Sequence, residues 1–199
     1  MKGFTSLLIL LLLIPAGAGT FIWSGIYDVS ANIPRYGISD WLIATLKKNS
    51  IAFHARGIAP PAGLTDPESI RNGIVDFSNS CSRCHGAPGE TRQAFSTGLH
   101  PTPPILVSGR VQKERTEAQL YLIVKNGLKF SGMPAFGNIH EDLNIWNIIA
   151  VLKILPKLSS GDYQSILEED GTDEGDTLRD EEFPGIPDAI DSRMKPNTI

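Results

Sequence analysis

The stretch Cys81-Ser82-Arg83-Cys84-His85 contains the only two cysteines of this 199-residue chain. In a random chain, two cysteines would fall three positions apart roughly once in a hundred, and a histidine directly after them makes the pattern rarer by about another factor of forty. The spacing therefore indicates a chemical requirement rather than average composition.

Two thiols at this spacing can add to the two vinyl groups of a haem, and the next histidine then lies beneath the iron. A zinc site needs four protein ligands, or three with water, and there is no second cysteine pair. A thioredoxin-like redox pair expects a preceding strand, whereas a helix is predicted before Cys81. The motif thus favours one covalent haem c held by Cys81 and Cys84, with His85 as an iron ligand. The other histidines show no ligand spacing with this motif: they are His54, His100 and His140.

The N-terminal segment is strongly apolar. Residues 3–27 carry no charge, and as a helix they would be about 37 Å long, against a hydrocarbon layer of roughly 30 Å. Residues 1–27 are therefore predicted to form a transmembrane anchor. The alternative is a secretory signal peptide cleaved near residues 16–18, which would leave a soluble periplasmic protein. Either alternative predicts export, with the remaining chain on the periplasmic side of a bacterial cytoplasmic membrane.

Residues 28–64 are predicted to be a membrane-proximal segment. Apolar and polar side chains alternate at helical spacing over Ile38–Arg56, which indicates an amphipathic helix. Pro60 and Pro61 then mark a linker.

Residues 65–158 are predicted to form a compact all-α domain. Its first helix begins with Thr65 and Glu68 as a capping box and runs into Cys81. The long loop that follows is rich in glycine and proline, and a bound haem would give it a surface to pack on.

Two further helices complete the predicted domain. Thr116 and Gln119 begin a short helix that ends at the C-cap residue Gly127. A tryptophan-bearing helix is predicted over Glu141–Leu155, and Pro156 ends it.

Residues 159–199 are predicted to be an acidic and mostly disordered tail. From Asp162 to the end, twelve acidic residues oppose three basic ones, a net charge of −9. The whole chain carries −4, so residues 1–161 carry +5. This uneven distribution of charge influences which partners the protein attracts rather than how it folds.

The second axial ligand of the iron decides between electron transfer and catalysis. Of the three methionines, Met1 is the start and Met194 lies in the tail, so Met133 remains, 48 residues after His85. Its alternative role is to fill a gap in the core. We predict that Met133 and His85 are the two metal ligands, with His100 as the substitute for Met133.

The order helix, CSRCH, long loop, short helix, GMPAFG and tryptophan-bearing helix resembles a class I (monohaem) cytochrome c domain. The resemblance covers about residues 65–158, and it implies an all-α cytochrome c fold whose first and last helices cross around one haem. We expect Gly73 and Phe77 to cross Trp146. Residues 28–64 are more loosely similar to bacterial membrane-anchored c-type cytochromes.

The resemblance also implies a proline whose carbonyl accepts a hydrogen bond from Nδ1 of the axial histidine. Pro104-Ile105-Leu106 matches the family's Pro-x-Leu pattern, so Pro104 is the candidate and Pro103 the alternative. Such bonds orient the ring and tune the ligand.

The function predicted from these features is one-electron transfer in a bacterial respiratory or periplasmic redox chain, with no catalytic residue and no small-molecule substrate. The expected partners are a redox donor, a redox acceptor and the membrane, and not nucleic acid. The alternatives are a haem enzyme or gas sensor with a displaceable sixth ligand, or the cytochrome subunit of a larger oxidoreductase complex. Basic residues that could steer an acidic partner are Lys113, Arg115, Lys125 and Lys129.

Overall fold

The computed structural model describes residues 2–32 and 37–173. Within these ranges the chain is helical and forms no strand, so the predicted all-α class is confirmed. The helices are α1 Lys2–Trp23, α2 Gly37–His54, α3 Pro67–Ser80, α4 Ser82–His85, α5 Arg110–Glu114, α6 Glu117–Asn126, α7 Asp142–Ile154 and α8 Ser160–Asp173. Short 3₁₀ turns over Ala94–Gly98, Leu106–Ser108, Phe136–Asn138 and Leu155–Lys157 connect them.

Helix α1 is continuous, with Pro15 inside it and four small residues after that proline. Among the residues that the structure describes, no helix combines the length and the apolar content needed to cross a membrane. The prediction of a transmembrane anchor over residues 1–27 is therefore not supported.

The crossing of α3 and α7 forms the centre of the domain. Ile74 and Phe77 of α3 are fully buried, and α7 is buried on nearly all sides. A Cβ atom at Gly73 would lie 2.1 Å from the main-chain oxygen of Asn147 and 2.8 Å from Val151 Cγ2. The absence of a side chain at Gly73 thus allows the two helices to approach closely, as expected for the first and last helices of the domain.

The predicted partner of that crossing needs correction. Gly73 meets the main chain of Asn147 rather than Trp146. The Trp146 ring stacks on Tyr121 of α6, with ring centroids 4.3 Å apart and planes at 13°. Trp146 therefore joins α7 to α6.

One predicted capping box is present and the other is not. Thr116 Oγ1 accepts the Gln119 N–H, and the Thr116 N–H donates to Gln119 Oε1, both at 3.3 Å. At α3 the N-cap is Asp66 rather than Thr65, and its side chain makes no capping bond. The fixed φ of Pro67 suits the first helical position, so α3 begins there.

Helix α8 packs against α3 and buries Tyr163 completely. The hydrophobic core therefore continues past residue 158, into the segment predicted to be a tail. The rest of that acidic segment, residues 174–199, lies outside the described residues.

Helix α2 corresponds to the predicted amphipathic helix. It buries Ile51 and lies along α6, while Trp41 and Phe53 face solvent. Two clefts of about 420 and 620 Å³ run beside α2, and His100, the substitute ligand, lines the smaller one. The other predicted haem residues line neither cleft: Cys81, Cys84, His85, Pro104 and Met133.

Candidate haem site

The CSRCH motif lies at the end of α3. Cys81 is the C-cap of α3 and begins the single turn α4, so its carbonyl accepts the N–H groups of Cys84 at 3.1 Å and His85 at 3.0 Å. Both cysteines are free thiols. This turn brings both thiols and the imidazole into one short segment.

The environment of Cys81 disfavours a thiolate. Its side chain is 6% exposed, and burial, with smaller contributions from the charges of Asp76 and Cys84, raises the pKa of the Cys81 thiol to about 12. A protonated thiol is neither a metal ligand nor a redox nucleophile. Among the described residues, no group of three or more His, Cys, Asp or Glu side chains is arranged to hold a metal ion. The raised pKa disfavours a thioredoxin-like redox pair, whose attacking cysteine is a thiolate.

The imidazole of His85 is oriented through one ring nitrogen. Its Nδ1 lies 2.8 Å from the carbonyl oxygen of Pro104. Burial lowers the pKa of His85, the bond to Pro104 opposes that shift, and the charge of Arg92 adds to it. The neutral ring therefore donates its Nδ1–H to Pro104, and Nε2 keeps the lone pair that can bind iron.

The two candidate prolines have different partners. Pro104 accepts from His85, whereas the carbonyl of Pro103 accepts from Arg92 Nη1 at 2.6 Å. Leu106, two residues further on, is buried, and its carbonyl accepts from Gln112. His85 thus bonds to the carbonyl of Pro104, the first candidate, and not to that of Pro103.

The loop bearing Met133 is fixed at the end of α6. Gly127 has φ +64°, and a Cβ there would lie 2.6 Å from the carbonyl carbon of Pro134, so the loop approaches the helix end closely. The Leu128 N–H donates to the Met133 carbonyl at 3.1 Å, and Ser131 Oγ donates to the Leu128 carbonyl at 2.7 Å. Met133 is half-buried against the core, and its ligand role stays a prediction.

Phe130 in this loop has a strained backbone. Its φ is +57°, a value that bulky residues rarely adopt, and its side chain is 71% exposed. We expect Phe130→Gly to stabilise the protein by about 1 kcal/mol, because glycine relieves the left-handed conformation and few contacts are lost. Urea unfolding measures the effect. Lys129→Gly is the matched control, since its φ is ordinary, and it is expected to lower stability; equal effects of the two changes would contradict the prediction.

The remaining three histidines each have a polar neighbour, and only that of His140 adjoins the CSRCH motif. His54 Nδ1 lies 2.9 Å from the Ser50 carbonyl, and His100 Nε2 lies 4.0 Å from Asp40. His140 Nε2 lies 2.9 Å from Ser80 Oγ, directly before Cys81. The sequence carries no signal of this contact between His140 and Ser80.

The predicted steering residue Lys125 is engaged locally. Its Nζ donates to Tyr121 Oη at 3.1 Å and to Asp142 Oδ1. These hydrogen bonds raise the pKa of Lys125 and lower that of Asp142. Lys125 therefore joins α6 to α7 rather than offering a charge for partners.

The residues present fit a covalently bound haem. They supply two free thiols one turn apart, a neutral imidazole whose second nitrogen is already bonded, and a thioether held in a short loop. Arg92 also lies at this site, because it donates to the carbonyl of Pro103, next to Pro104. No sequence signal predicted its place there.

A family model described as cytochrome c oxidase, cbb3-type, subunit III matches residues 68–151. The match runs from the first turn of α3 into α7 and includes the CSRCH motif, Pro104 and Met133. Neither a curated protein nor a solved structure matches the chain significantly.

Proposed function

We propose that this protein, whose residues 68–151 form a monohaem c-type cytochrome domain with covalent haem c, carries single electrons between redox proteins using His85 and Met133 as axial ligands. The observation that carries the proposal is the hydrogen bond from His85 Nδ1 to Pro104. It sets the tautomer that an axial histidine needs and makes the imidazole more basic.

When bound, the haem supplies an iron that accepts and gives up one electron. The chain's own contribution is attachment, ligation and burial. Cys81 and Cys84 provide the sulfur atoms of the two thioether bonds. A Met133 thioether would favour reduced iron and so raise the reduction potential. Two strong axial ligands would also leave no open position for a substrate.

We further propose that the haem domain works on the periplasmic side of the membrane, since domains of this type usually face that compartment. Its donor and acceptor would be redox proteins. Lys113, Arg115 and Lys129 form no ion pair within the described ranges, so their charges are available to steer an acidic partner.

A second candidate is that the chain is the cytochrome subunit of an oxidoreductase complex. The matched family model favours it, because its description names a subunit of an oxidase. The two candidates differ in assembly rather than in chemistry. Mild detergent extraction from the native host, followed by native gel separation with haem staining, distinguishes a single chain from a complex.

The test uses the full chain purified with its haem. We expect a low-spin ferric spectrum with the weak near-red band of methionine sulfur on iron, and a ferrous form that does not bind carbon monoxide. Denaturing mass spectrometry should find the haem mass still attached. A high-spin ferric form that binds carbon monoxide readily once reduced would contradict electron transfer and favour the enzyme or sensor.

A further inference from the structure

His140 ends the segment 133–140 that begins with Met133, and its side chain is mostly buried against α3. Its side chain is 13% exposed. Nε2 lies 2.9 Å from Ser80 Oγ, and Nδ1 lies 3.8 Å from Asp76 Oδ1. Nε2 is therefore at hydrogen-bond distance from Ser80, while Nδ1 faces the Asp76 carboxylate beyond hydrogen-bond distance, and both residues belong to α3.

The α3 side of this contact adjoins the haem attachment motif. Asp76 and Ser80 lie one turn apart on α3, and Ser80 directly precedes Cys81. The other Asp76 oxygen accepts from Asn144 Nδ2 of α7 at 3.3 Å. Asp76 is thus fixed by α7 on one side while it faces His140 on the other.

The loop side is equally well fixed. The His140 N–H donates to the Phe136 carbonyl at 2.9 Å, and the buried Phe136 ring lies 6.1 Å from the His140 ring. Phe136 follows Met133 by three residues. The His140 ring therefore makes a polar connection between the C-terminal end of this segment and α3.

We propose that His140 is a positioning residue: by bonding to Ser80 beside the Asp76 carboxylate, it holds the segment from Met133 to His140 on the helix that carries Cys81. The inference rests on the proposed ligation by Met133. A ligand carried on a loop competes with external ligands for the iron, and its advantage depends on how firmly the loop is held. The hydrogen bond between Leu128 and Met133 fixes one end of the segment, and His140 fixes the other.

The experiment measures how readily imidazole displaces the sixth ligand of the ferric protein. We expect His140→Ala to raise the apparent imidazole affinity on the order of tenfold, since losing the hydrogen bond to Ser80 together with the packing of the buried ring weakens the hold on the loop by a comparable factor. The near-red band should persist without imidazole. Ser80→Ala should give part of the increase, and His140→Gln should restore part of the wild-type value, because glutamine keeps a hydrogen-bonding group.

His54→Ala is the matched control, because His54 is exposed and, within the described part of the chain, its ring bonds only to Ser50 of α2. Unchanged imidazole affinity in His140→Ala and Ser80→Ala, with or without a lower melting temperature, would overturn the inference and assign these residues a structural role. That result leaves the proposed function intact if the wild-type band is present. Absence of the band in the wild type would overturn ligation by Met133 and this inference together.

Discussion

Replacing Gly73 with alanine is expected to destabilise the haem domain by about 3 kcal/mol, the upper part of the range for overpacked cores. The added Cβ would lie 2.1 Å from the Asn147 carbonyl oxygen and 2.5 Å from its carbon. These are main-chain atoms inside α7, so no side-chain rotation relieves the contact. Only a separation of α3 from α7 would, and that opens the core around Ile74 and Phe77.

The measurement is urea or thermal unfolding of the haem-loaded protein. Alanine improves helix propensity by about 1 kcal/mol over glycine, which offsets part of the clash. Gly98→Ala is the control, because nothing lies within 4 Å of a Cβ at that position and its φ is ordinary. If Gly73→Ala and Gly98→Ala unfold at the same urea concentration, the close crossing of α3 and α7 is wrong.

Local signals predicted the start of a helix correctly where only one residue nearby could serve as the N-cap. Thr116 and Gln119 form their capping box because no other good N-cap residue adjoins Thr116. At α3, Thr65 is followed by Asp66 and then by Pro67, which suits the first helical position. The same pattern therefore predicted one helix start correctly and the other one residue early.

The site was predictable only to the extent that its residues are close in sequence or follow a family pattern. Cys81, Cys84 and His85 lie within one helical turn, so their spacing alone predicts that they lie together. The bond from His85 to Pro104 follows from the Pro-x-Leu pattern. The contact between Ser80 and His140 joins residues 60 positions apart. Its geometry depends on how α3 and the loop pack, and neither residue carries a local signal of that contact.

Replacing Met133 with leucine or alanine is expected to abolish the near-red band and lower the reduction potential on the order of 0.1 V, within the roughly 0.8 V span that axial ligands set. A thioether sulfur is a soft ligand that favours ferrous iron. Without it, water or hydroxide would take the position, and these oxygen ligands favour ferric iron. Redox titration followed by visible absorption measures the shift.

The leucine variant separates ligation from packing. Leucine keeps the apolar volume that Met133 contributes to the core, so its stability should stay within about 1.5 kcal/mol of wild type, while alanine should cost more. If Met133 only fills a gap, the wild type would show no near-red band, and Met133→Leu would leave the potential unchanged. His100→Ala tests the substitute ligand. Because His100 lies beside Asp40, its removal should leave the band and the potential unchanged. A low-spin wild type without the band that becomes high spin in His100→Ala, but not in Met133→Leu, would transfer the ligand role from Met133 to His100.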